Sequence, residues 1–265
     1  MSVVLQCTQS IGSMVSIWAA ISQQQYNRRH KSVYNLSYDM ILLNIIKQVI
    51  SLYTAINYKY NMLIVRQLLM RYPVFYEVPG DVPIVQSLIF LDLGLLLSYL
   101  MLQVQLLKYH MTKHVCQGVS IICLCFLGAL FGLLVFPSLY FTWFGVHKFV
   151  LLDHINWCWI AGSAIHVTTM WPQISINWMG QCCTGLSMRF VILNGIADIF
   201  RIIGFIITSK QGLAFYNWPF NSVPVFVAIM ELLSTLIILG QQKYWYRDNK
   251  PRLPTALALS RTSPV

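Results

Sequence analysis

Residues 171–196 read WPQISINWMGQCCTGLSMRFVILNGI, and residues 21–46, 150 positions earlier, read ISQQQYNRRHKSVYNLSYDMILLNII. In this register Gln23 pairs with Gln173, Asn27 with Asn177, Leu36 with Leu186, Ser37 with Ser187, Leu43 with Leu193, Asn44 with Asn194 and Ile46 with Ile196. Gly12 with Gly162 and Ser13 with Ser163 extend the match upstream. Apolar sequence often matches itself on Leu and Ile, but seldom on Gly, Ser, Gln and Asn in one register. The chain therefore contains an internal repeat.

The repeat lies in a membrane-embedded sequence. Of 265 residues, 57% are hydrophobic and 10% charged, and the mean hydropathy is +0.62. The 18 Lys and Arg and 8 Asp and Glu compare with the roughly 66 charges that a soluble chain of this length would use. That excludes an ordinary soluble enzyme, a disordered tail and a DNA-binding domain. The net charge of +10 is scattered between apolar runs instead of forming the stripe of a nucleic-acid binder. A span needs about 20 apolar residues, and seven stretches qualify, at roughly 3–25, 36–58, 84–107, 116–139, 149–177, 187–208 and 221–242. Span one carries Gln6, Gln9, Ser10, Ser13, Ser16 and Gln23, which polar residues in spans direct to a bundle interior or cavity. No basic residue precedes it, so a cleaved signal peptide is not expected.

Seven spans place the termini on opposite sides. Eleven Lys and Arg gather on one side, in Arg28, Arg29, Lys31, Lys108, Lys113, Arg189 and the tail from Lys243 to Arg261; five lie on the other. The positive-inside rule puts the N-terminus in the lumen or exterior and the C-terminus in the cytosol. The sequon Asn35-Leu36-Ser37 then faces the cytosol, where it goes unused. Copy one begins at span one and copy two at span five, so the copies are parallel. The expected architecture is all-α: residues 1–110 as a first three-helix repeat, 111–145 as a linking helix, 146–247 as a second repeat and 248–265 as a cytosolic tail. Parallel repeats about an axis along the membrane normal are a transporter plan, with substrate held between the halves.

The motif Trp171-Pro172-Gln173 through Trp178, leading to Gly185-Leu186-Ser187, resembles the second signature loop of PQ-loop proteins. The segments Asn27–Val33, Leu36–Asp39 and Leu42–Asn44, with Gln241–Arg247, are similar to cystinosins in particular, as in a divergent fungal member. The resemblance implies proton-coupled export of L-cystine from the lysosome or vacuole to the cytosol, with no cofactor other than the coupling proton. In the family the two Pro-Gln prolines look like hinges; here Ser22 replaces the first and Pro172 keeps the second. The Asp that the family usually has after the second loop is Asn194, which cannot titrate, while Asp198 lies one turn on. The basic residue often found before the second Pro-Gln is absent, with Thr169 there and His166 one turn earlier.

Gln23, Asn44, Gln173 and Asn194 are the candidate substrate-binding residues, because amides both donate to carboxylates and accept from ammonium groups, and cystine carries two of each. The bland alternative is that they only join helices. Asp198 is the first candidate proton carrier, against a structural ion pair with Arg201 or contact with Lys47; Asp92, which matches a cystinosin Asp, follows, then Glu231 and His166. Cys123 and Cys125 read as small buried hydrophobes, and Cys182-Cys183 as a loop open to acylation. His110 and His114, spaced i, i+4, read as a solvated loop and not a metal clamp. Asp39 near the start of span two reads as helix-end electrostatics, with a gating role left open by the resemblance. Nothing resembles a nucleophile elbow, Walker loop or zinc-hydrolase motif, so no enzyme is expected. Expected partners are L-cystine or a related amino acid and the bilayer, without nucleic acid. Alternatives are export of cationic amino acids, or a transport-inactive sorting receptor or scaffold.

Overall fold

A computed structural model of the chain describes residues 3–76, 82–143, 151–212, 216, 218–249, 254–255 and 258. Among them the protein is all-helical: α1 (Val3–His30), α2 (Tyr38–Tyr60), α3 (Met62–Arg71), α4 (Gln86–Lys108), α5 (Ile121–Trp143), α6 (Leu151–Thr168), α7 (Trp171–Gly180), α8 (Met188–Lys210) and α9 (Val225–Gly240). A π-turn over Gln241–Trp245 prolongs α9. Helices α1, α2, α4, α8 and α9 with its π-turn are long and apolar enough to cross a bilayer. Apolar side chains such as Phe90, Val104, Leu107, Ile122 and Phe131 stand exposed on the outer faces, as contact with lipid requires.

The two copies share their local signals. Ser37 and Ser187 stand at the N-caps of α2 and α8 with nearly the same backbone angles, and Ser37 also accepts from the Met40 amide at 3.2 Å. The connecting turns begin at Lys31 and Gln181, both left-handed with φ near 48° and 46°. Asn35, at φ 60°, occupies the place of Gly185; a Cβ at Gly185 would collide with the Tyr34 carbonyl, so the two turns touch backbone to backbone. Asn is among the few residues that visit this conformation readily.

One position breaks the likeness. α1 runs unbroken for 28 residues through Ser22-Gln23. The matching stretch in copy two is cut at Thr169–Met170, between α6 and α7, so the expected single span over 149–177 is a broken one. Pro172 is the cause: it offers no amide hydrogen to the Thr168 carbonyl, and its ring would press against that oxygen. In copy one Ser22 instead donates its hydroxyl to the Ala19 carbonyl at 2.7 Å, leaving the helix intact.

α4 bridges α1 and α2, and α9 lies against α8, α6 and α7. Between copies, α1 packs along α8 and α2 along α6. Close approach is secured by Gly12, which abuts Ala197 and Arg201, and by its counterpart Gly162, which abuts Ile50. The main core, with Ala19, Ala20, Met40, Tyr99, Met170 and Phe190, gathers around the two turns. A second cluster, with Tyr58, Ile64, Leu68, Tyr76, Leu152 and Ile155, closes the opposite end around α3. There Arg71 pairs with Asp153, and Tyr58 donates to Asn156 at 2.5 Å.

Candidate functional site

Two amide clamps define one end of the molecule. The Gln23 side-chain carbonyl accepts from the Ser187 amide at 2.8 Å, and its NH2 donates to the Gly185 carbonyl at 2.9 Å and to Asn27 at 2.8 Å. The Gln173 carbonyl accepts from the Ser37 amide at 2.8 Å, and its NH2 donates to the Asn35 carbonyl at 2.9 Å and to Asn177 at 2.8 Å. Asn27 then donates to Gln105 and Asn177 to Gln241. Each copy thus grips the turn of the other through fully buried side chains. A buried amide with its donors and acceptor met is rigid and costly to disturb.

Beyond the clamps a cavity of about 70 Å³ opens between the copies, room for a handful of waters at about 15 Å³ each. α1 contributes Gln9, Ser13 and Ser16, and the loop before α9 contributes Asn221 to Pro224. Its charged groups come from five helices: Lys47 on α2, Asp92 on α4, His166 on α6, Arg201 on α8 and Glu231 on α9. Glu231 is the hub, with Oε2 2.7 Å from His166 Nε2 and 3.7 Å from an Arg201 nitrogen, and Oε1 3.6 Å from Lys47 Nζ. Arg201 also holds Asp198 at 2.7 Å and donates to Ser16 at 3.0 Å. Asp92 accepts from the Ser51 hydroxyl at 2.9 Å.

The structure sorts the residues singled out in the sequence. Asn194, Asp92, His166 and Glu231 line the cavity. Gln23 and Gln173 do not; they are the clamps. Asn44 donates to the Met40 carbonyl at 2.8 Å, as Asn194 does to Phe190 at 3.1 Å, and Asn44 is outside the lining. Asp198 is fully buried and sits behind Arg201, also outside the lining. Ser22 and Pro172 flank the clamps.

Other sequence readings change. Asn35 of the sequon is buried and donates to Asn177 and to the Cys182 carbonyl. Cys182 is fully buried, and burial beside Cys182 pushes the Cys183 thiol up to about 12, which makes it a poor nucleophile for acylation. His114 is not in a solvated loop: it is buried, its Nδ1 faces the Cys116 amide, and burial with Lys113 nearby lowers its pKa. Asp39 accepts from the Ser120 amide at 2.9 Å, tying α2 to the segment before α5.

Lys47 and Arg201 entered the sequence reading as partners, not as site residues. The signal was present, since a charge within a span is a functional pointer by itself. Gln105 and Gln117 were missed. Gln117 donates to the Val33 and Leu36 carbonyls and accepts from the Asn35 amide, reinforcing the first turn.

Comparison with known proteins agrees with this geometry. A family model described as the PQ loop repeat matches residues 155–213, which hold the broken helix, the second turn and α8. The uncharacterized protein YCL002C of Saccharomyces cerevisiae is 34% identical over 254 residues, spanning 93% of this chain and 96% of that protein. Repeat, loops and relative converge: the chain is a multi-pass membrane protein that belongs to the PQ-loop family.

Proposed function

We propose that the protein is a proton-coupled secondary transporter that carries an amino acid from the lumen of a vacuole or lysosome to the cytosol. The observation that carries this reading is the polar, charged cavity between two parallel repeats, where transporters of this plan hold their cargo. It takes seven spans, with α6–α7 as one broken span and α5 as the linker over 111–145, between repeats over 1–110 and 146–247 and ahead of a cytosolic tail over 248–265. With the N-terminus lumenal, the clamps close the cytosolic end, and the cavity lies toward the lumenal loop before α9. Pro172 marks the hinge on which the second repeat opens, and Ser22 the stiffer counterpart.

Asp92 is the proposed proton carrier: it faces the cavity and has a hydroxyl for a partner. Asp198 is engaged by Arg201, which supports the ion-pair reading of that residue. Glu231 and His166 form a hydrogen-bonded pair that links α9 to α6 one turn before the break. The cystinosin resemblance implies L-cystine as cargo, and cationic amino acids are the alternative. The test is uptake by proteoliposomes with and without an inward proton gradient. Saturable, acid-stimulated amino-acid flux is expected; binding of a protein partner without flux would favour a sorting receptor or scaffold.

A further inference from the structure

The two copies agree in the frame and disagree in the cavity. Four pairs of amides match between the copies: Gln23 with Gln173, Asn27 with Asn177, Asn44 with Asn194, and Gln105 with Gln241 by their equivalent bonds. The cavity charges find no such partner. In the same register Lys47 corresponds to Ala197, Arg201 to Ser51 and His166 to Ser16. Counted back from Gln105 and Gln241, Glu231 corresponds to Leu95 and Asp92 to Ala228. Every charge on the wall has an uncharged residue at its symmetry mate.

We propose, resting on the transport reading above, that the cargo has a single amino-acid head group, one carboxylate and one ammonium, and not the paired heads of a two-fold molecule such as cystine. The positive corner is Arg201 with Lys47. Arg201 lines the cavity; its buried Nε, which has no hydrogen-bond partner, lies beside Gly12 in the α1–α8 contact. The terminal NH2 groups of Arg201 hold more N–H donors than the bonds to Asp198 and Ser16 use, and these can meet an oxyanion in the cavity. Lys47 has ammonium donors to spare beyond its 3.6 Å contact with Glu231. Glu231 is already shared among His166, Lys47 and Arg201, so it is not open to a substrate cation. Asp92 is the cavity carboxylate with no cation within ion-pair distance among the described residues, and it receives the ammonium.

A second head group would need a second corner, and the symmetry-related positions supply Ser51, Ala197, Leu95 and Ala228 instead. Its charges would be desolvated without partners, which disfavours binding strongly. The remaining wall mixes Ser13, Ser163 and Ser222 with Leu88, Trp159 and Phe220, so the head group, and not the side chain, is what the charges select.

The test uses the full-length protein in proteoliposomes under a proton gradient, with radiolabelled L-serine, L-glutamine and L-cystine offered separately. Expected is saturable uptake of at least one single-headed amino acid, at least tenfold above L-cystine. Its competition should be lost for the methyl ester, which lacks the carboxylate, and for the N-acetyl form, which lacks the ammonium. Arg201→Lys, which keeps a cation for Asp198, should raise KM at least tenfold with an unchanged melting temperature. Cystine uptake equal to or above the single-headed probes overturns the proposal and leaves the transport reading standing. No amino-acid flux at all, with the protein folded and reconstituted, overturns both.

Discussion

Gln23 and Gln173 hold each other's turns: at 2.8 Å Gln23 takes the Ser187 amide, and at 2.8 Å Gln173 takes the Ser37 amide. The bond runs between copies, not within one, so neither turn is complete without the opposite repeat. Gln23→Ala and Gln173→Ala should therefore destabilise alike, by about 2–4 kcal/mol each, since three hydrogen bonds vanish and buried backbone groups are left unmet. Thermal melts of the detergent-solubilised variants check this; a large cost at one site and none at the other would break the symmetry argument.

Pro172 and Ser22 make a second matched pair. Pro172→Ala restores the missing donor and should join α6 to α7, lowering flux more than tenfold with little loss of stability. Ser22→Pro should be tolerated, because the same backbone accepts a break at the matching site; its cost should stay below the roughly 3 kcal/mol of a proline forced into an uninterrupted helix. Spin-label distances between the ends of α1, and between α6 and α7, report whether each helix bends.

Asp92 and Asp198 should separate cleanly. Asp92→Asn leaves the Ser51 hydroxyl a partner and should abolish both saturable uptake and its stimulation by a proton gradient while sparing the fold. Asp198→Asn strips Arg201 of its closest carboxylate and should cost about 3–5 kcal/mol, as loss of one member of a buried pair does. Flux against pH gradient, read beside melting temperature, distinguishes the two.

His114 gives a pH prediction beside the connecting turns. Its pKa is lowered in the folded protein by burial and Lys113, so the unfolded chain takes up a proton that the folded chain refuses. The stability it contributes is full above its ordinary value of about 6.5 and declines as pH falls below it. Melting curves from pH 7.5 to 5.5 should show that decline, and His114→Gln should flatten it.

Two exposed cysteines test the topology. Cys7 lies near the start of α1 and Cys116 in the α4–α5 connection. With the proposed topology, a membrane-impermeant maleimide applied to the cytosolic face of sealed membranes that hold the protein should label Cys116 and spare Cys7 until the membrane is permeabilised.

Much of this was legible in the sequence, for identifiable reasons. The register that pairs residues 21–46 with 171–196 foretold the matching turns, because polar residues in lipid are kept where geometry uses them. Pro172 reads as a hinge, yet hydropathy alone runs the span through it from 149 to 177, and only the structure shows the helix ending at Thr168 and restarting at Trp171. Of the residues singled out in the sequence, Asn194, Asp92, His166 and Glu231 line the cavity, and Gln23, Asn44, Gln173 and Asp198 do not. Depth in the bilayer follows from sequence position, but rotation about each helix axis does not follow from a stretch that is apolar on every side. That rotation turned Gln23 and Gln173 into the frame and brought Lys47 and Arg201 to the wall.

The serine at position 22 has a kinetic consequence. A carrier with two equal hinges idles with its gates near balance, since each half can yield as easily as the other. On the transport reading, α1 is a stiff post and α6–α7 a jointed arm, so the empty carrier would have a parked position. Its resting population, and hence its readiness to load from one compartment over the other, would be biased before any cargo or proton arrives. Directionality would then be set partly by the scaffold, with the gradient supplying the work.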